Sequence, residues 1–215
     1  EIVLSDDAST DDTVAAVRKL LHDHHVEQGI AIPKLVILQN EYALGVTANF
    51  EQAANACSGD LVALCDQDDR WSPDRLEEIT SQFRARPTLT LLHHDARLVD
   101  EQGKALGTTL AEAIGFTASE RRRENDGKAF DVLLRRNTVT GATTVFRRSL
   151  LDDAIPFPPA WVHDEWLAMI ASIVPPWSAG HPAEPGPRPW NNSPAFIQVM
   201  RNKKSFTVDS RRPEG

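Results

Sequence analysis

Leu61-Val62-Ala63-Leu64-Cys65-Asp66-Gln67-Asp68-Asp69-Arg70-Trp71-Ser72-Pro73 is the stretch that decides the fold. Its first five residues are apolar, β-prone at Val62 and fenced by Gly59-Asp60, so they read as a short buried strand. Ser72 is a helix-capping residue, and Pro73 suits the first helical position, where its missing N–H costs nothing. Leu76, Ile79 and Phe83 then recur at helical spacing until Arg86-Pro87 stops the run. Asp66, Asp68 and Asp69 therefore fall at the carboxyl end of a buried strand, where open α/β sheets bind ligands. Carboxylates this close repel one another. A hard divalent cation, Mg2+ or Mn2+, would relieve the conflict through oxygen ligands.

Other readings of the same residues stand beside this one. A solvated acidic loop is the common fate of an isolated Asp-x-Asp-Asp. Counted from Asp66 as an EF-hand loop, Asp68 and Glu77 fall at ligand positions, but Trp71 replaces the needed glycine and Arg70 takes a ligand position. A phosphatase of the haloacid-dehalogenase type also sets Asp-x-Asp after an apolar strand. It would make Asp66 a nucleophile in a Mg2+-dependent phosphohydrolase, with Arg70 where Thr or Val is expected.

The 215 residues suffice for one domain with a real core. Lys+Arg 23 against Asp+Glu 31 gives a net charge of -8, which argues against a nucleic-acid coat or a strongly basic membrane patch and suits a site that recruits a cation. Cys57 and Cys65 lack zinc spacing and read as small buried hydrophobes of a reducing compartment. No apolar run approaches membrane-spanning length, and no signal-peptide pattern opens the sequence.

Upstream, Ile2–Ser5 reads as a strand, followed by Asp6 and Asp7. Ser9 or Thr10 can cap a helix with Asp11 and Asp12 at its positive end and Val14, Val17 and Leu21 as its stripe. Lys34–Leu38 is a second strand, residues 39–45 a loop, and Val46, Phe50, Ala53, Ala54 and Cys57 a second helical stripe ending near Gly59. Strand–helix alternation of this kind predicts a mostly parallel sheet with helices on both faces.

Asp6-Asp7, then Asn40 and Gly45 with Asn49, then Asp66-Gln67-Asp68-Asp69 resemble, in order and separation, the family 2 glycosyltransferases of the GT-A fold. The resemblance covers roughly residues 1–174. It implies a Rossmann-like mixed, mostly parallel sheet, with a nucleotide-binding half over 1–87 and an acceptor half over 88–174. It implies a UDP- or dTDP-linked sugar donor and Mn2+ or Mg2+. Asp6 would bind the nucleobase, with Asp7, Asn40 and Gly45 beside it. Asp66 and Asp68 would form the Asp-x-Asp motif, with Asp69 a further candidate, holding the ribose and the metal on the diphosphate. The family's first strand is expected before Glu1, so the fold is read as N-terminally truncated. Ile2–Ser5 and Leu61–Cys65 would then each lack a neighbour on one side, or pair with each other.

Leu89–Val99 reads as a strand whose apolar residues give way to His93-His94-Asp95, and Asp100–Lys104 as a hairpin turn. His93-His94 can contact acceptor, although such a pair is more often structural or exposed. Residues 107–128 lack clear periodicity, and Arg121-Arg122-Arg123 reads as a solvated basic run. Asn137–Phe146 resembles the family's strand with a Thr-Gly turn. Trp161-Val162-His163-Asp164-Glu165-Trp166 opens a helix with Val162, Trp166, Met169, Ile170 and Ile173 on one face. It resembles the family's Glu-Asp motif in the His-Asp-x-Trp form of bacterial rhamnosyltransferase-like enzymes. That makes Asp164 the general base for an inverting transfer to a saccharide or lipid-linked acceptor in cell-surface polysaccharide synthesis. The expected location is the cytoplasm, up to the inner face of the membrane, with at most peripheral contact and no nucleic acid. Seven of the 14 prolines lie between Pro175 and Pro194, so 175–215 reads as an irregular proline-rich tail without the family's Tyr-Arg-x-His-like loop. A truncated nucleotide- and metal-binding relic is the non-enzymatic alternative.

Overall fold

A computed structural model describes residues 1–174 other than Gly29, Ile30 and Ile32, and the proline-rich stretch 175–215 lies outside the described residues. The chain forms β1 (Ile2–Asp6), α1 (Thr13–Gln28), β2 (Leu35–Gln39), α2 (Val46–Ala56), β3 (Leu61–Ala63) and α3 (Arg75–Ala85). There follow β4 (Leu91–His93), β5 (Arg97–Val99), β6 (Ala105–Thr109), α4 (Leu110–Ala113), α5 (Ala118–Arg123), α6 (Ala129–Leu133), β7 (Thr144–Arg147), α7 (Leu151–Ala154) and α8 (His163–Ile173). This is a mixed α/β fold of the GT-A type.

The strand pairing corrects the expectation of a mostly parallel sheet. Among the described residues β1 pairs with β2 in parallel, whereas β7 runs antiparallel between β3 and β4, and β5–β6 is an antiparallel hairpin. Hydrophobic periodicity reports a strand but not its direction. β7 enters the sheet after the α4–α6 helices and therefore comes from the opposite end. β1 and β3 are not paired with each other among the described residues.

Alternation along β7 places helices on both faces. Phe146 joins the large core with Leu167, Ile170 and Trp166 of α8, while Val145 meets Ile79 and Phe83 of α3. Burying Ile79 and Phe83 contributes roughly 1.5–3 kcal/mol each, and it holds α3 behind the aspartate loop. α3 starts at Arg75, two residues after the expected Pro73, because Ser72–Asp74 forms a turn in which Arg75 N–H donates to the Ser72 carbonyl. Leu76, expected in the buried stripe, is 56% exposed, and Arg75 takes the inward position instead. The strand expected over 89–99 is broken into β4 and β5. Cys65, expected in the core, is exposed because β3 ends at Ala63, and Cys57 is half-buried.

Candidate active site

The aspartate loop leaves β3 beside β7, with Leu64 N–H donating to the Thr144 carbonyl. It closes on itself: the Asp69 carboxylate accepts the Asp66 N–H at 3.2 Å, and Asp69 N–H returns to the Asp66 carbonyl. Burial, and then the neighbouring carboxylates of Asp69, Asp68 and Asp164, push the Asp66 carboxyl up to about 6. The structure therefore brings Asp164, distant in sequence, within electrostatic reach of the Asp66 loop. Asp68 stands exposed at the tip. Among the described residues no three His, Cys, Asp or Glu side chains converge as a ready-made metal cage. Hard oxygen donors crowded until the proton affinity of one is raised nonetheless fit Mg2+ or Mn2+, and Mg2+ is commonly held by one or two carboxylates plus substrate phosphates.

Asp164 sits in the first turn of α8, buried, where the helix dipole favours its charge. Its Oδ2 accepts the Gly141 N–H at 2.8 Å and its Oδ1 accepts the Glu165 N–H at 2.6 Å. Burial raises its proton affinity, and these two donors oppose the rise. Gly141 leads the short 3-10 turn Gly141–Thr143 before β7. A Cβ there would lie 2.9 Å from His163 Nε2, so only glycine lets the turn close onto α8. His163 is buried and lies flat on Phe50 of α2, with centroids 3.8 Å apart and planes 6° from parallel. Burial holds its pKa down at about 4, so the ring is neutral at ordinary pH. The stack, with the Thr47 hydroxyl on the Trp161 carbonyl, ties α2 to the start of α8.

Arg75 links the aspartate loop to the same turn, and sequence reasoning missed it. Its guanidinium lies 4.0 Å from the Trp71 ring centroid and donates to the Ala142 carbonyl at 3.0 Å, close enough to Asp69 to feel its charge. Arg70 reaches the opposite way. Its guanidinium rests against Gly103 at the β5–β6 tip, where a Cβ would meet Nη1 at 2.6 Å.

Asp6, Asp7, Asn40 and Gly45 lie together at the ends of β1 and β2. Asp7 accepts the backbone N–H groups of Leu44 and Gly45 and the Asn40 amide, which holds its carboxyl below the usual range. Its work is to pin the loop at Gly45, whose φ of 85° and ψ of 160° suit glycine. Asn40 and Asn49 are committed to a network with Ser5 and Gln52 that joins β1, the loop and α2. Asp6 differs: it is buried, and its Oδ1 has no hydrogen-bond partner among the described residues. That oxygen keeps acceptor capacity that no donor among the described residues uses. His93, expected to be structural or exposed, is part-buried with its Nε2 at 2.8 Å from Glu124 Oε2. The Thr138 hydroxyl donates to the other Glu124 oxygen at 2.6 Å. Arg121 lies over Phe116 and Arg123 pairs with Asp131, so the basic run is partly engaged.

Aspartates thus stand at or just past the carboxyl ends of β1 and β3, and a buried aspartate stands at the start of α8. The sequence profile of the family described as Glycosyl transferase family 2 matches residues 1–154, and the chain belongs to that family. An uncharacterized protein of Mycobacterium tuberculosis is 30% identical over 158 residues, 73% of this chain and 40% of that protein. An uncharacterized glycosyltransferase of a Nostoc species is 29% identical over 123 residues, 53% of this chain and 36% of its own length. The chondroitin synthase of Escherichia coli is 28% identical over 107 residues, 49% of this chain and 14% of that enzyme. The matched region thus spans two-fifths or less of each relative. Family membership displaces the phosphohydrolase reading of Asp66. Asp164 lies beyond the matched profile, so its assignment rests on geometry and on the sequence resemblance. Among the described residues no helix is long and apolar enough to cross a membrane.

Proposed function

We propose that the chain is the donor-binding and transfer domain of an inverting, metal-dependent glycosyltransferase. Residues 1–87 take a nucleoside-diphosphate sugar, UDP- or dTDP-linked, and residues 88–174 take a saccharide or lipid-linked acceptor, in cell-surface polysaccharide synthesis at the cytoplasmic side. A hexosyl or rhamnosyl unit fits the His163-Asp164 motif. The observation that carries the reading is the match of the family profile to residues 1–154, and the crowded Asp66–Asp69 loop and the buried Asp164 support it.

Asp164 takes the proton of the acceptor hydroxyl at a carboxylate oxygen as the acceptor oxygen attacks the anomeric carbon. The bond from that carbon to the diphosphate oxygen breaks, and the configuration inverts. Gly141 and Glu165 N–H groups hold the carboxylate in one orientation. Asp6 meets the nucleobase. Asp66 and Asp68, with Asp69 behind them, would hold Mn2+ or Mg2+, which supplies charge neutralisation at the diphosphate when bound.

Calorimetry of UDP and dTDP with and without Mn2+ tests the donor side. Asp68→Asn should abolish the metal-dependent part of binding, and metal-dependent binding at the wild-type level would refute the assignment. Asp164→Asn should preserve nucleotide binding and depress transfer by a factor on the order of 10² or more. Transfer at the normal rate would remove Asp164 from the role.

A further inference from the structure

We propose that the cavity flanking β4 is a pyranose-binding subsite for the acceptor, a proposal that rests on the transfer reading above. The cavity has a volume of about 390 Å³ and runs along β4, the edge strand of the three-stranded sheet. That volume lies in the range of small-molecule sites. Its apolar wall includes Leu110, Ile114 and Phe116, and its polar groups include Glu124, His93 and Thr138, with Arg86 and Arg121 also on the lining.

Glu124 gives the cavity its chemistry. Its side chain is only 10% exposed, and its two oxygens receive one contact each, from His93 and Thr138. A carboxylate offers about four acceptor positions, so half of them remain for a ligand. Glu124 opens the kinked segment Glu124–Lys128 between α5 and α6, where Gly127 takes φ 78°. An alkyl chain filling the cavity would strip water from the carboxylate and return no donor, which is costly. A phosphate or a second carboxylate set against Glu124 itself would be repelled. A sugar ring gives hydroxyl donors to Glu124 in charge-assisted bonds and apolar C–H faces to Phe116 and Leu110.

The location agrees with the chemistry. Thr138, Val139 and Thr143 line the cavity, and Gly141 of the same turn holds Asp164. A ring at this end of the cavity is separated from Asp164 by that one short turn.

The test is saturation-transfer NMR on the 215-residue chain with a mixture of methyl α- and β-hexopyranosides, alongside octanol as an alkyl probe. The expected result is pyranoside binding that weakens about tenfold or more in Glu124→Gln and is lost in the cavity-filling Ala171→Leu, with octanol silent. Absence of pyranoside binding, wild-type binding in both variants, or occupation by octanol would each overturn the subsite. Nucleotide–Mn2+ binding is measured on the same samples. Its loss with pyranoside binding intact counts against the transfer reading alone, and the reverse counts against the subsite alone.

Discussion

Asp164 is pulled in two directions, by its burial and by backbone N–H donors. Burial favours the protonated carboxyl, while Gly141 and Glu165 favour the carboxylate that a base requires. Gly141→Ala places a methyl against the His163 ring and spreads the turn from α8. The weakened hydrogen bond should raise the Asp164 pKa, so the acid limb of the transfer pH profile moves to higher pH. The accompanying stability loss should be about 1–3 kcal/mol, as for other overpacked sites. An Asp164 carbon-13 titration unchanged in the variant would contradict this. Asp66 carries a second pH effect. Its folded pKa of about 6 lies above the ordinary 3.8, so the folded state binds the extra proton between them. Its contribution to stability is present below about 4 and is lost as pH rises through 6. Asp66→Asn should therefore leave the melting temperature little changed near pH 4 and raise it relative to wild type near pH 7.5. A difference that does not depend on pH would count against the cause. The acidic residues were legible because Asp66, Asp68 and Asp69 crowd one strand end in the sequence itself. The Arg75–Ala142 and His93–Glu124 contacts were not, since they join residues 67 and 31 positions apart and only folding reveals them.

At the scale of elements, helix starts and loops tell which signals sequence carries. The start of α8 was readable because Asp164 and Glu165 in its first turn and the Trp166, Met169 and Ile170 face agree. The start of α3 was not, because Arg75 turned inward against Trp71 and displaced Leu76 to the surface. Residues 107–128 hid two short helices behind missing periodicity. A signal was present: Thr109 with Glu112, and Thr117 with Glu120, each form a reciprocal capping box. The β2–α2 loop is the element whose mechanics can be measured most simply. Asp7 receives three donors there, so Asp7→Ala should release the Leu44 and Gly45 amides to fast hydrogen exchange while the amides of α8 stay protected. Unchanged protection at Leu44 and Gly45 would mean that the Ser5–Asn40–Asn49–Gln52 network alone fixes the loop.

Across the whole molecule β7 lies between β3 and β4, and several further contacts join elements distant in sequence near the candidate site. Phe50 on His163 and Thr47 on Trp161 join α2 to α8, Arg70 leans on the β5–β6 tip, and Arg75 spans from the aspartate loop to the turn before β7. Mixed α/β class was legible from strand–helix alternation, whereas the antiparallel placement of β7 depended on how the intervening helices return the chain. The Arg75 bridge bears on how chain length can vary here. Its guanidinium must reach both the Trp71 ring and the Ala142 carbonyl, so the residues between Asp69 and Arg75 act as a spacer of fixed length. Surface loops ordinarily absorb insertions at small cost. One glycine inserted between Trp71 and Ser72 should therefore lower the melting temperature far more than one inserted between Ser9 and Thr10, both of which are exposed. Equal tolerance at the two places would show that the bridge can be re-formed by a loop of another length.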